Sequence, residues 1–335
     1  MKKKLIYGGS LTLKMTLIFA IIASVSQAIA MEKPSWAQAL WQSTKDKFIS
    51  LSLVQKELHA RKQYQDLHKE VKEIVKNGST VQEVETKKLH EKHQQVLENF
   101  KKCMGMPELN WHIFHEKMAL AKAKNPLFTP AIAHQEEQAD AVSRLIRRTL
   151  KKRNLNPWAV TIEFSKEKTT AALQWYNPFK DRESSPTNAL RLQLPLIGSR
   201  EDLTFAINHE ITHLQEQHGI ECMFLKALNS HASDRFTTCI KPYMHHTEFE
   251  ADALYALQNY KAAQHAKTAL AHMFQESAFA YKDYQAHPSD ASRFKEANRI
   301  ADMLALEKEM RNKHKTQSKK TESNIQKIFD PAFNC

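Results

Sequence analysis

The chain has 335 residues, enough for one large domain or two modest ones with ample core. Only 6 glycines, against an abundance of Ala, Leu, Lys, Glu and Gln, point to a mostly helical protein. The net charge of +12 does not make it a nucleic-acid binder, because no module interleaves basic and aromatic residues, and beyond residue 30 no stretch is apolar enough to cross a bilayer.

Those first 30 residues carry Lys2, Lys3, Lys4 and Lys14 and no acid. The apolar run from Met15 to Val25 is short for a membrane span, and Ala28-Ile29-Ala30 supplies the small residues of a cleavage site. This predicts a signal peptide over 1–30 and export, most simply to a bacterial periplasm, with an uncleaved anchor as the alternative. No transmembrane span is expected in the mature chain. In an oxidising compartment Cys103, Cys222, Cys239 and Cys335 are compatible with two disulfides in any of three pairings. Cys222 with Cys239 is the preferred local pair. Buried free thiols are the next alternative, and metal ligation by these cysteines the third.

Residues 31–127 read as a helical region. Trp36 to Ile74 places apolar residues at helical spacing, Asn77-Gly78-Ser79 breaks the pattern with Gly78 as a cap, and a second helix runs from Thr80 to Lys102. The pair predicts a helical hairpin, either a support for the next domain or a surface for an envelope-protein partner. Asn125-Pro126 and Thr129-Pro130 mark a boundary, opening a second domain over 128–312. Ala131 to Lys152 reads as a basic amphipathic helix whose run Arg144, Arg147, Arg148, Lys151, Lys152 and Arg153 is a solvated face. Ala159–Phe164, Ala172–Tyr176 and Leu190–Leu194 alternate apolar and polar residues, which predicts three short antiparallel strands. The third precedes the next helix and is expected to edge a cleft in which an extended peptide can pair.

That next helix opens at Glu201-Asp202, acids that suit its dipole, and is expected to end at Gly219. It contains His209-Glu210-Ile211-Thr212-His213, an H-E-x-x-H. Residues four apart share a helix face, so His209 and His213 can grip one ion, with Glu210 placed to take a proton from water that the ion polarises. Neutral imidazoles and an open position are what catalytic zinc requires. Glu248-Phe249-Glu250-Ala251-Asp252 follows, 35 residues after His213. Glu248 and Asp252 also share a helix face; one can bind metal while the other accepts a proton from a ligand His and fixes its tautomer. Glu250 is expected to point elsewhere. His231, His245 and His246 read as loop histidines. His287-Pro288 precedes a helix from Ser289 through Lys308 that carries Arg293; 313–335 is a polar C-terminal tail, and the stretch from Arg311 to Ser323 is expected to be disordered.

HEITH, then EFEAD, then HPSDASR, in that order and spacing, resembles the gluzincin family of HtpX, the CaaX prenyl proteases and the Oma-type and BepA-type peptidases. The resemblance covers roughly residues 130–310, and the HEITHLQEQH run is most similar to the soluble periplasmic members. It implies a mainly α (α+β), zincin-like catalytic domain with a small three-stranded antiparallel sheet behind an N-terminal helical region. It also implies one Zn2+ per chain on His209, His213 and Glu248, with Glu210 as general base and Asp252 holding a ligand His. His287 and Arg293 would lie at the cleft. The activity implied is that of an exported zinc endopeptidase acting on polypeptides in envelope protein quality control. The alternative is a chaperone-like or adaptor protein on the same fold with a silent site.

Overall fold

The computed structural model describes residues 35–130, 140–165, 170–176, 185–193, 199–229, 233–276 and 288–329, with side chains from 55 onward except 233–234, 274–276 and 320–329. The signal-peptide reading of 1–30, the start of the basic helix at 131–139, and His231, His287 and Cys335 lie outside the described residues. The chain divides into two compact units, Met1–Lys69 and Glu70–Cys335. Among the described residues no helix is long and apolar enough to cross a membrane.

The protein is mainly helical. Helix α1 (Ser35–Lys76) is followed by a turn in which Gly78 adopts φ 77°, a left-handed conformation that favours glycine. Helix α2 (Val81–Met104) then opens on a capping box: the Thr80 hydroxyl accepts from the Glu83 N–H while the Glu83 carboxylate accepts from the Thr80 N–H. Helix α3 (Glu108–Lys124) and a 3-10 turn, Pro126–Phe128, lead to α4 (Ala141–Lys152), capped by Asp140. Strands β1 (Val160–Ser165), β2 (Ala171–Trp175) and β3 (Thr187–Gln193) precede α5 (Arg200–Glu216), α6 (His218–Ala227), α7 (Ser233–Ala256), α8 (Tyr260–Glu276) and α9 (Asp290–Phe329).

The sheet is mixed, not antiparallel. Its order is β1–β3–β2, with β3 central, parallel to β1 and antiparallel to β2. Alternation of apolar and polar residues reports which face of a strand is buried, not which strand lies beside it. The central place of β3 shows instead in its burial, which is unbroken from Asn188 to Leu190.

Two apolar cores meet at α5 and α6. Leu127, Ile146, Leu150, Leu190 and Leu192 pack on Ile207, Ile211 and Leu214 of α5. Leu97, Phe100, Trp111 and Phe114, from α2 and α3, pack on Ile220, Phe224 and Tyr243, from α6 and α7. Helix α9 corrects the expected disordered tail, since it runs unbroken through 311–323. No Gly or Pro interrupts that stretch, and Glu307–Arg311 and Glu309–Lys313 ion pairs at i, i+4 support it. Arg311 also donates to the Ser79 carbonyl at 2.7 Å.

The disulfide joins Cys103 to Cys239, with Cα atoms 5.7 Å apart, and not Cys222 to Cys239; Cys222 is a half-buried free thiol on α6. Short sequence separation favoured the local pair, but packing of α2 against α7 brings the distant cysteine to bonding range. A bridge spanning 136 residues restricts the unfolded chain strongly, by as much as about 4–5 kcal/mol in the chain-entropy account. Cys103→Ser is therefore expected to lower unfolding stability by several kcal/mol, and Cys222→Ser to change it little. A non-reducing peptide map should recover the Cys103 and Cys239 peptides joined; recovery of Cys222 with Cys239 would refute the pairing.

Candidate metal centre

Helix α5 sorts its residues by face. Ile207, Ile211 and Leu214, spaced i, i+4 and i+7, are fully buried against the sheet and α4. His209, Glu210 and His213 project elsewhere, toward α7 and β2. Ser199 caps the helix start by accepting from the Asp202 N–H. Arg153, at the end of α4, donates to Thr212 Oγ1 at 2.9 Å and to Asn208 Oδ1 at 3.0 Å. Arg147 donates to the carbonyls of Pro157 and Val160. The basic run is thus not wholly a solvated face, since two of its members fasten backbone and helix.

Three side chains converge. His209 Nε2 lies 3.1 Å from His213 Nε2 and 3.4 Å from Glu248 Oε2, and His213 Nε2 lies 3.5 Å from Glu248 Oε1. A tetrahedral ion with ligands at about 2.0 Å spaces them roughly 3.3 Å apart, close to the His209–His213 separation and to the approach of each imidazole to a Glu248 oxygen. This His/Glu group could hold a metal ion. The donors, two imidazoles and a carboxylate, suit a borderline divalent ion.

Around these donors the charges are arranged in a chain. His209 Nδ1 lies 2.8 Å from Asp252 Oδ1, so the N–H there donates to the carboxylate and leaves Nε2 facing the centre. Arg293, from α9, grips the same carboxylate, Nε to Oδ2 at 2.7 Å and NH2 to Oδ1 at 2.8 Å, and stands 3.8 Å from Glu248. Burial alone would neutralise Asp252, but Arg293 and His209 outweigh it and hold its pKa below the usual value. Burial likewise opposes charge on His209, yet Asp252 and Glu248 prevail and raise its pKa to about 10. His213 is pushed well below the ordinary histidine range, mainly by burial. Without metal the site therefore holds its proton on His209.

Glu210 is buried, and burial raises its pKa. Its Oε2 accepts from the Ala172 N–H of β2 at 2.6 Å. The strand beside the site is thus β2 and not β3, which is enclosed between β1 and β2. Nor does the helix end at Gly219. It stops at Glu216, Gln217 turns through φ 62°, and α6 restarts at His218. Gly219 serves close packing: a Cβ there would stand 3.2 Å from Gln174 Cβ. The turn at Gln217 brings His218 Nδ1 to 2.9 Å from His213 Nδ1, a partner the sequence reading did not assign. His245 and His246 lie on α7 rather than in a loop.

No protein-family model, no curated protein and no solved structure matches this chain.

Because His209 must shed a proton to ligate, metal affinity is expected to rise about tenfold per pH unit from neutral pH until His209 deprotonates near 10. Competition with a chelator across that range measures the slope, and a flat profile would contradict the assignment of the proton. Arg293→Met leaves buried Asp252 with His209 as its remaining charged partner, which is expected to destabilise the fold by up to about 3–5 kcal/mol. Denaturant unfolding of the variant beside the wild type gives that difference.

Proposed function

We propose that the chain is a zinc-dependent endopeptidase, with His209, His213 and Glu248 as the zinc ligands and Glu210 as general base. The observation that carries this reading is the convergence of His209, His213 and Glu248, whose ligand atoms lie within 4.8 Å of one another with each imidazole Nε2 3.4–3.5 Å from a Glu248 oxygen, beside a buried carboxylate one residue along the helix. Imidazole and carboxylate donors suit zinc. The HEITH, EFEAD and HPSDASR motifs support a zincin-like catalytic domain of the gluzincin kind.

Bound there, the ion supplies Lewis acidity, polarising a substrate carbonyl and acidifying water. Glu210 takes the proton of the attacking water and returns it to the leaving amine; the burial that raises its pKa makes it a stronger base. Asp252 fixes the His209 ring through Nδ1–H, and Arg293 keeps Asp252 ionised. β2 pairs with β3 and runs past Glu210, which puts this strand beside the site. The resemblance implies that His287 would lie near the scissile carbonyl or the metal. The signal-like amino terminus makes exported envelope proteins the natural substrate class, with the periplasm as the compartment and the helices of 31–127 as a surface for an envelope partner.

Glu210→Gln preserves the shape of the site and removes the base. It is expected to retain metal at the wild-type level and to cut hydrolysis of an unfolded polypeptide by a factor of about 100 to 10,000. Equal cleavage by variant and wild type would remove the peptidase reading.

A further inference from the structure

The chemistry left unused by this centre gathers around Glu250, two residues beyond Glu248. Glu250 Oε2 lies 2.8 Å from His93 Nδ1, 3.3 Å from His218 Nε2 and 3.5 Å from His246 Nε2. We propose that His93, His218 and Glu250 form a second divalent-metal site, one that ties α2, α6 and α7 together. Zinc, or another ion that favours nitrogen with one carboxylate, is the class of metal it would take.

Four observations converge on it. The ligand atoms of His93, His218 and Glu250 all lie within 4.8 Å of one another. His218 and His246 are 4 % and 3 % exposed, yet their Nε2 atoms, 3.3 and 3.5 Å from Glu250 Oε2, do not reach it in hydrogen-bond geometry, and His246 Nδ1 makes no hydrogen bond. Buried imidazole nitrogens normally find partners, and an ion beside Glu250 would occupy His218 Nε2. The second nitrogen of His93, Nε2, faces Glu221 Oε2 at 2.9 Å, the outer carboxylate that orients metal-binding histidines. An imidazole with both nitrogens on ionised carboxylates carries two protons, or one proton and a metal. With two protons, one imidazolium meets two buried carboxylates and a negative charge is left over; with a divalent ion the group is neutral.

His246 supplies a further nitrogen within reach of the same oxygen. A cleft of about 260 Å³, lined by His90, His93, His218, Glu221 and Glu250, gives the ion an entry path. Its place suggests a structural role: the Cys103–Cys239 disulfide already links α2 to α7, and the metal would link the same two helices and α6. His218 also meets the first centre through His213 Nδ1, so it is a ligand of one site and the outer partner of the other.

This inference goes beyond the peptidase reading and does not rest on it. The full chain is saturated with Zn2+, dialysed, and assayed for zinc per chain by atomic emission. Wild type is expected to hold two equivalents, His209→Ala one, His93→Gln one, and the double variant none. One equivalent in wild type that His93→Gln retains and His209→Ala loses would overturn the second site and leave the first standing. One equivalent that His209→Ala retains and His93→Gln loses would support the second site and remove the first. Should His93→Gln fail to fold, X-ray absorption of zinc in the His209→Ala/His213→Ala variant decides the matter: imidazole ligation supports the proposal, and an all-oxygen shell overturns it.

Discussion

Asp252 is a buried carboxylate that stays ionised because Arg293 grips both of its oxygens, and much of the centre depends on that contact. The ionised Asp252 sets the tautomer of His209, which decides which nitrogen faces Glu248. Each member comes from a different helix: His209 from α5, Asp252 from α7 and Arg293 from α9. The three helices must therefore pack in one register, because the buried carboxylate needs both the guanidinium and the imidazole to offset its burial. The same contact thus determines both how the helices dock and how the site is charged.

Helix α5 is the joint between the apolar and the polar halves of the structure. One face completes the core over β3 with Ile207, Ile211 and Leu214, and this holds the helix rigidly enough to aim two imidazoles at one point. Arg153 fastens its remaining side through Asn208 and Thr212. The left-handed residue Gln217 then redirects the chain so that His218 returns toward His213. A non-glycine residue in that conformation costs of order 1 kcal/mol or more, and such strain persists where surrounding packing enforces it.

Alternate residues of α7 serve different neighbours. Glu248 and Asp252, four apart, turn toward α5, while Glu250 turns toward His93 and His218. One helix therefore carries carboxylates to two clusters, and the two are joined by the His213–His218 contact. Helices α2 and α3 share an apolar core with α6 and α7, so the segment that carries His93 is positioned by the packing that also buries Ile220 and Tyr243.

The amino-acid order alone determined what is local. The i, i+4 spacing of His209 and His213, the matching spacing of Glu248 and Asp252, the helical character of most of the chain and the three strands all follow from periodicity within a few turns. Helix geometry turns such spacing directly into a shared face. Tertiary packing alone decided what joins distant segments: the parallel pairing of β1 with β3, the bond from Cys103 to Cys239, Arg153 on the back of α5, and His93 and Glu221 around Glu250. His93 shows why, since it lies in a very polar helix with nothing beside it in sequence to mark it. Its partners stand 128 and 157 positions away. Periodicity says which way a side chain faces along its own helix, but only the docking of one helix on another says what it meets there.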